Sequence, residues 1–363
     1  MFSKCLPIAL ALVATANAAL TYTGHDLSSL KLMEDGQGAN FYTEDGTSSS
    51  AEDILGDGGM NAVRLRLWTG SGLYDLDYTL TLAERFYTAG YDIYLDLHLS
   101  DTWADPDSQE IPSAWPSDDI DDLASTLQDY VSSTLESFSD AGVDVSILSI
   151  GNEISSGFLF PLGEISDDDF SGFATLFAAA RAGVDDAVSA GVSKPDVMIH
   201  LNNGYDESLQ TWFYEGLVGT GTVSTDDWDV FGVSFYPFYG TDATLDNLQT
   251  TLTTLSSTYG KPMYVAETDW PEECSGVTLS ESSIAVSAEG QTTWVDDIIE
   301  VLEAVDNGAG IFYWEPAFIN NTALGSSCDD AILFDVDWSD WPETTVTARS
   351  SVDMYASSGA SSC

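Results

Sequence analysis

The sequence predicts an α/β chain folded as a single (β/α)8, or TIM-type, barrel, and three observations predict it. Eight short apolar runs recur along the chain, each nearly continuously hydrophobic, as strands buried on both faces of a parallel sheet are. Longer segments with helical spacing separate many of them. A glycine follows many of those segments, where it can cap a helix C-terminus. Eight such units in one chain is a barrel count. An open doubly wound sheet is the alternative, but no glycine-rich dinucleotide loop follows the first strand.

Taken in order, the first 18 residues stand outside the fold. Lys4 gives a positive n-region, residues 6–16 are apolar, and Ala16-Asn17-Ala18 is a small-x-small cleavage site. This is the pattern of a signal peptide, with Ala19 as the mature N-terminus and a secreted, extracellular product. The run is too short to span a bilayer, and no later stretch is apolar enough to do so. The expected strands are 21–27, 62–68, 92–98, 145–152, 195–202, 230–236, 262–267 and 310–314. Helices are expected at 80–89, 120–140, 170–190, 245–259 and 291–305, with Gly90, Gly142, Gly191, Gly260 and Gly308 after them. No internal linker or finer repeat divides the chain. One barrel domain is therefore expected over 19–350, with a Ser-rich tail over 351–363.

Charge narrows the partners. Nine Lys and Arg stand against 60 Asp and Glu, a formal net charge of −51. Removing residues 1–18 takes away Lys4 and no acid, giving 8 − 60 = −52. Such a surface repels nucleic acid and anionic membranes, and it favours a neutral substrate over a polyuronate. Its plain reading is a solvated acidic face, suited to an acidic medium or a salty one. No oligomer is indicated, and a monomer is expected. Cys5 leaves with the signal peptide. Of Cys274, Cys328 and Cys363, the first two lie inside loop-like stretches and are the preferred disulfide pair. With no CxxC and only His25, His98 and His200, a zinc or redox site is not expected.

The C-terminal ends of barrel strands face the active site. Here they carry Arg64, Arg66 and Trp68, then Asp96, His98, Asp101 and Trp103, then Asn152 and Glu153. His200, Asn202, Asn203, Tyr236, Glu267, Asp269, Trp270, Trp314 and Glu315 follow. Acids and amides bond sugar hydroxyls, and indole faces stack on the apolar face of a pyranose. Glycoside cleavage needs two carboxyl groups flanking the bond. Glu153, Glu267 and Glu315 are the candidates, and spacing alone does not choose two of the three.

The runs GHDLSSL (24–30), YDLDYTLTLAERFYTAGYDIYLDLHLSDTWADP (74–106), LSIGNEISSG (148–157) and MIHLNNG (198–204) resemble glycoside hydrolase family 53. So do GVSFYPFY (232–239), VAETDWP (265–271) and YWEPAF with ALGSSC (313–328). The similarity spans nearly all of the mature chain in the expected order and looks most like the fungal branch. That family comprises the endo-β-1,4-galactanases acting on arabinogalactan type I. The resemblance implies a clan A (β/α)8 barrel, a retaining mechanism, neutral β-1,4-galactan as substrate, and no cofactor.

Carried over residue by residue, the resemblance makes Glu153 the acid/base after Asn152 and Glu267 the nucleophile, about 5–5.5 Å apart. Asn152 would bond the sugar 2-hydroxyl, and Arg66 and Tyr236 would hold the nucleophile ionised. Trp314 would floor the reacting subsite, with Asp101 and Trp103 as neighbouring sugar contacts. His98, His200 and Asn202 would face the cleft, and Glu315 would take a hydrogen-bonding role. Arg64 and Asp96 read as structural. The chain departs from the family at Asn202, where Asp is commoner, at Asp269, where fungal members more often have Asn, and at His25, where Ala is usual. Bacterial relatives hold the last long loop with calcium. The Cys274 and Cys328 positions match the fungal disulfide instead, so no metal is expected. A lone sequon, Asn320-Asn321-Thr322, permits glycosylation of Asn320. Another clan A glycanase, such as a mannanase or cellulase, would share both glutamates. A non-catalytic carbohydrate-binding barrel would be expected to have lost one.

Overall fold

In the computed structural model the chain runs β1 (Tyr22–Asp26), α1 (Leu30–Gln37), β2 (Ala39–Tyr42), α2 (Ala51–Asp57), β3 (Ala62–Leu67) and α3 (Leu76–Ala89). It continues through β4 (Asp92–Leu97), α4 (Ile120–Asp140), β5 (Val145–Ile150), α5 (Ser171–Ala190), β6 (Asp196–Leu201) and α6 (Glu207–Gly219). The last elements are β7 (Val230–Ser234), α7 (Leu245–Tyr259), β8 (Met263–Thr268), α8 (Ala288–Ala304), β9 (Gly308–Tyr313), β10 (Phe334–Asp337) and β11 (Thr344–Ala348). The structure describes residues 19–320 and 327–356. The expected signal peptide, Asn321 and Thr322 of the sequon, and Cys363 lie outside the described residues.

All eight expected strands form, and they close into a parallel barrel in the order β1-β3-β4-β5-β6-β7-β8-β9, with β9 returning to β1. Alternation explains why the strands read as continuously apolar. Val63, Leu65 and Leu67 of β3 point out to the helices, as do Ile93, Leu95 and Leu97 of β4. The inward positions of the lower barrel are filled by a separate cluster that includes Ala62, Tyr94, Met198, Tyr264 and Phe312. Gly24 makes room for that plug, since a Cβ there would lie 2.4 Å from the Phe312 ring. One level higher the inward positions turn polar.

Helix termini follow local chemistry. Asp75 accepts from Tyr78 N and starts α3 four residues before the apolar period becomes visible. Gly90, Gly191 and Gly260 close their helices in the left-handed conformation, as expected. Gly308 does not cap a helix. It opens β9, where a Cβ would lie 1.9 Å from the Leu302 carbonyl.

The sequence reading missed α1, α2, α6 and a small sheet, β10-β11-β2, that packs Phe41 against Phe334 with ring centroids 5.2 Å apart. The expected tail is also corrected. Ser351, Val352, Met354 and Tyr355 are buried, and the Tyr355 hydroxyl donates to Gly24 O at 2.9 Å. Packed chain thus extends past residue 350 before any tail can begin. Cys274 and Cys328 form the expected disulfide, joining the loop after β8 to the chain that precedes β10.

Candidate active site

The site is assembled from strand ends whose alternation turns charged groups inward. On β3, positions 64 and 66 share the face of Ala62, so both arginines enter the barrel mouth, where they are buried. Asp96 and His98 follow Tyr94 inward on β4, and His200 follows Met198 on β6. Strict alternation would turn Glu267 outward, because Tyr264 and Ala266 already face the interior. A register shift solves this. Val233 pairs with Val265 but Ser234 pairs with Glu267, so β8 carries one extra residue there. Such a bulge re-aims the next side chain, here the Glu267 carboxylate, into the cleft.

Backbone strain marks the same rim. Leu99, Glu153, Asn203 and Glu315 lie just past the ends of β4, β5, β6 and β9 with φ of 54°, 51°, 49° and 44°. Left-handed non-glycine residues cost on the order of 1 kcal/mol or more each and persist where surrounding contacts over-determine them.

Arg64 is the hub. Its Nη1 donates to Asp26 Oδ2 at 2.6 Å, and its Nη2 reaches Asp96 Oδ2 at 2.7 Å, Asn152 Oδ1 at 2.8 Å and Glu267 Oε1 at 2.7 Å. The other Glu267 oxygen accepts from the Tyr236 hydroxyl at 2.9 Å. Both oxygens of Glu267 are therefore held by donors. Burial raises its pKa, and Arg64 and Tyr236 oppose that rise. Glu153 differs. Burial first and the Glu267 charge second push it up to about 8, with Ser234 and Arg64 only partly opposing. Of the two carboxyls, Glu153 is the one built to carry a proton near neutral pH.

A cleft of about 300 Å3 opens over Arg64, Asn152, Glu153, Tyr236, Glu267 and Trp314, walled by Trp103, Asp105 and Tyr239. A second lobe of about 460 Å3 is lined by Asp105, Asn202, Asn203, Ser234 and Tyr239, and the two lobes meet at Glu153 and Tyr236. Trp103 and Trp314 approach edge to face at 6.3 Å. These dimensions and surfaces suit sugar rings on either side of Glu153. Among the described residues no cluster of three or more His, Cys, Asp or Glu is arranged to hold a metal ion. The place a cation would take between Asp26, Asp96 and Glu267 is filled by the Arg64 guanidinium.

Several expected roles change. Arg64, not Arg66, contacts Glu267. Arg66 pairs with Glu315 and with Asp26. Asp101 does not line the cleft, because its oxygens accept from Thr69 Oγ1 at 2.8 Å and from Ser113 N and Oγ at 2.8 and 2.7 Å. It secures the loop that carries Trp103, and Asp105 takes the place at the cleft. Glu315 is buried on Arg66 and Ser29 and is absent from the cleft lining. His98 lines the cleft. Its Nδ1 accepts from Trp68 Nε1 at 3.1 Å, which leaves the proton on Nε2, 3.1 Å from Asp96. His200 sits beneath the lining, bonded to Ser234 Oγ at 2.9 Å, and burial lowers its pKa to about 3. Asp26, Asp105 and Tyr239 were missed. The signal for Asp26 was available, since it ends β1 in phase with Gly24.

Comparison with known proteins agrees with this geometry. The profile of glycosyl hydrolase family 53 matches residues 22–344. The chain belongs to that family. It is 46% identical over 333 residues to arabinogalactan endo-beta-1,4-galactanase A of Aspergillus niger, covering 90% of this chain and 94% of that protein. To the enzyme of the same name from Emericella nidulans it is 44% identical over 361 residues, covering 98% and 99%. A solved structure from a study of two fungal beta-1,4-galactanases superposes with a TM-score of 0.86 at 40% identity, covering 93% of this chain and 99% of that one. As a family 53 member the chain is a glycoside hydrolase.

Proposed function

We propose that the chain is a secreted, monomeric, retaining endo-β-1,4-galactanase that cuts β-1,4-galactosidic bonds in arabinogalactan type I and pectic galactan side chains. One observation carries the catalytic reading: Glu267 is held by donors on both oxygens while the neighbouring Glu153 is raised to about 8. The names of the similar fungal enzymes support the substrate.

In the first step Glu267 attacks the anomeric carbon while Glu153 gives its proton to the glycosidic oxygen, and the leaving chain departs. In the second, Glu153 as carboxylate takes a proton from water, which attacks the glycosyl ester, frees Glu267 and restores the protonated acid. Asn152 uses Oδ1 for Arg64 and one Nδ2 hydrogen for Ala104 O, leaving the second hydrogen for the sugar 2-hydroxyl. Trp314 stacks under the reacting sugar, and Trp103, His98, Asn202 and Tyr236 complete the contacts. The leader of residues 1–18 directs secretion, and Asn320 is the glycosylation site.

The test is reducing-end release from debranched β-1,4-galactan, run beside β-1,4-mannan and soluble cellulose, with the anomer of the first product read by NMR. Short oligosaccharides from galactan alone, released in the β configuration, are expected. Release from mannan or cellulose but not galactan would reassign the substrate within the clan. An α product would sink the double displacement.

A further inference from the structure

Trp103 enters the cleft from the loop after β4 and is 37% exposed, so its ring needs a partner to hold one orientation. Trp68 meets it edge to face at 5.4 Å, and a guanidinium lies over its face. Arg66 Cζ lies 4.4 Å from the Trp103 ring centroid and 4.3 Å from that of Tyr74. A planar, weakly hydrated guanidinium stacks on an indole face, and the contact strengthens when both are removed from water. Arg66 is fully buried and is itself fixed from behind. Its Nη2 meets Ser29 Oγ at 2.7 Å and is ion-paired with Glu315, and Ser29 Oγ also donates to Glu315 Oε1 at 2.6 Å. Tyr74 hydroxyl joins the same Ser29 at 2.7 Å. Glu315 is 1% exposed and follows Trp314, the other indole of the cleft, with its backbone in the left-handed conformation. One residue thus governs two walls: its main chain turns away directly after Trp314, and its carboxylate ends the chain of contacts that reaches Trp103.

We propose that Glu315 is a positioning residue for sugar binding, acting through Arg66 to hold the Trp103 indole as one stacking wall of the subsite that Trp314 shares. The role rests on the reading of this cleft as a galactan site. Glu315 touches neither substrate nor the reacting carboxylates, so it acts on the affinity of the subsite and leaves the chemical step alone.

The experiment is a double-mutant cycle of Glu315→Gln with Trp103→Ala, assayed on soluble galactan. Glu315→Gln keeps an acceptor for Arg66 and removes the ionisable carboxylate, which burial lifts to about 7 against the pull of Arg66. KM should rise about ten-fold with kcat within about two-fold, the scale of a desolvated cation–π contact. Trp103→Ala should raise KM at least as far, and adding Glu315→Gln to it should change nothing more. Arg66→Lys keeps the ion pair but loses the planar face, so it should raise KM like Glu315→Gln and serves if the latter fails to fold. The free enzyme supplies a readout without substrate: the near-ultraviolet dichroism due to Trp103, taken as wild type minus Trp103→Ala, should collapse in the Glu315→Gln background. An equal KM effect of Glu315→Gln with and without Trp103, a fall in kcat at constant KM, or an unchanged dichroism difference would overturn the assignment. A wild type inactive on galactan would defeat the functional proposal instead, and the dichroism would still decide this one.

Discussion

Replacing His25 by alanine isolates a proton-linked cost of folding that is independent of catalysis. His25 sits on the outward face of β1, fully buried, with ring centroids 5.0 Å from Tyr355 and 6.1 Å from Tyr313. Neither ring nitrogen has a hydrogen-bond partner among the described residues. Burial lowers its pKa to about 3, against an unfolded value near 6.5. The folded state therefore favours the neutral ring. The stability this gives is fully present above about pH 6.5 and is lost as pH falls toward 3, because the unfolded chain binds the proton first. At pH 4.5 the unfolded ring gains about two pK units of protonation free energy, roughly 2.5 kcal/mol more than at pH 7. His25→Ala removes this term and also leaves a small cavity, a cost that does not depend on pH. Urea unfolding of wild type and variant at pH 7 and pH 4.5 separates the two effects. The variant should gain about 2.5 kcal/mol relative to wild type on acidification, whatever its stability at pH 7. A difference that stays constant within about 0.5 kcal/mol would show that His25 is hydrated or paired in solution and would refute the reasoning.

Four further outcomes concern the site. Glu267→Gln should abolish hydrolysis with the thermal melt preserved, and a folded variant that kept substantial activity would remove Glu267 as nucleophile. Glu153 must be protonated to act as acid, so kcat/KM should fall as pH rises through about 8. Glu153→Ala should lose most of its activity and regain part with azide, giving the β-galactosyl azide; an α-azide would mean the two roles are exchanged. Tyr236→Phe removes one of the donors that hold Glu267, and kcat should drop about ten-fold or more, the scale of a hydrogen bond to a charged group. An unchanged kcat would mean that Arg64 alone suffices.

Reading order along the chain recovered the barrel because its evidence is local and repeated: each strand is a short apolar run, and most helices end in glycine. It failed where the deciding contact is remote. The strands β2, β10 and β11 are brief and become a sheet only on meeting each other, across some 300 residues in the pairing of Ala39 with Thr344. Helix α6 carries Trp212, Phe213 and Tyr214 in succession, which blurs a helical period. The two glutamates proposed as catalytic were visible as strand-end carboxylates, yet their ranking over Glu315 came from family resemblance. Arg64 and Arg66 stand two residues apart on one inward face, and alternation alone cannot say which one meets Glu267. Asp101 and Asp105 share a loop, and only the bonds from Thr69 and Ser113 decide which of them is used up inside it.

The assignment of roles follows from a shortage of positive charge. Around the cleft floor stand Asp26, Asp96, Glu153, Glu267, Asp269 and Glu315, all buried or nearly so, with Arg64 and Arg66 as the guanidinium groups that serve them. Two cations cannot neutralise six carboxylates in a low-dielectric pocket, so protons must make up part of the difference. The rise in pKa is greatest on the carboxyls the arginines leave out, although burial also lifts Glu315, paired with Arg66, to about 7. Asp269 is 1% exposed, forms no ion pair among the described residues, and has a pKa well above the usual range through burial and the charge of Glu267. Glu153 likewise lacks a guanidinium contact and rises to about 8. Glu267, gripped by Arg64 and Tyr236, is the carboxylate that the proposed mechanism uses to attack. On the proposed mechanism the bulge in β8 does more than turn a side chain inward: by delivering Glu267 to the occupied arginine and leaving Glu153 without one, it would separate two chemically similar glutamates into a nucleophile and an acid.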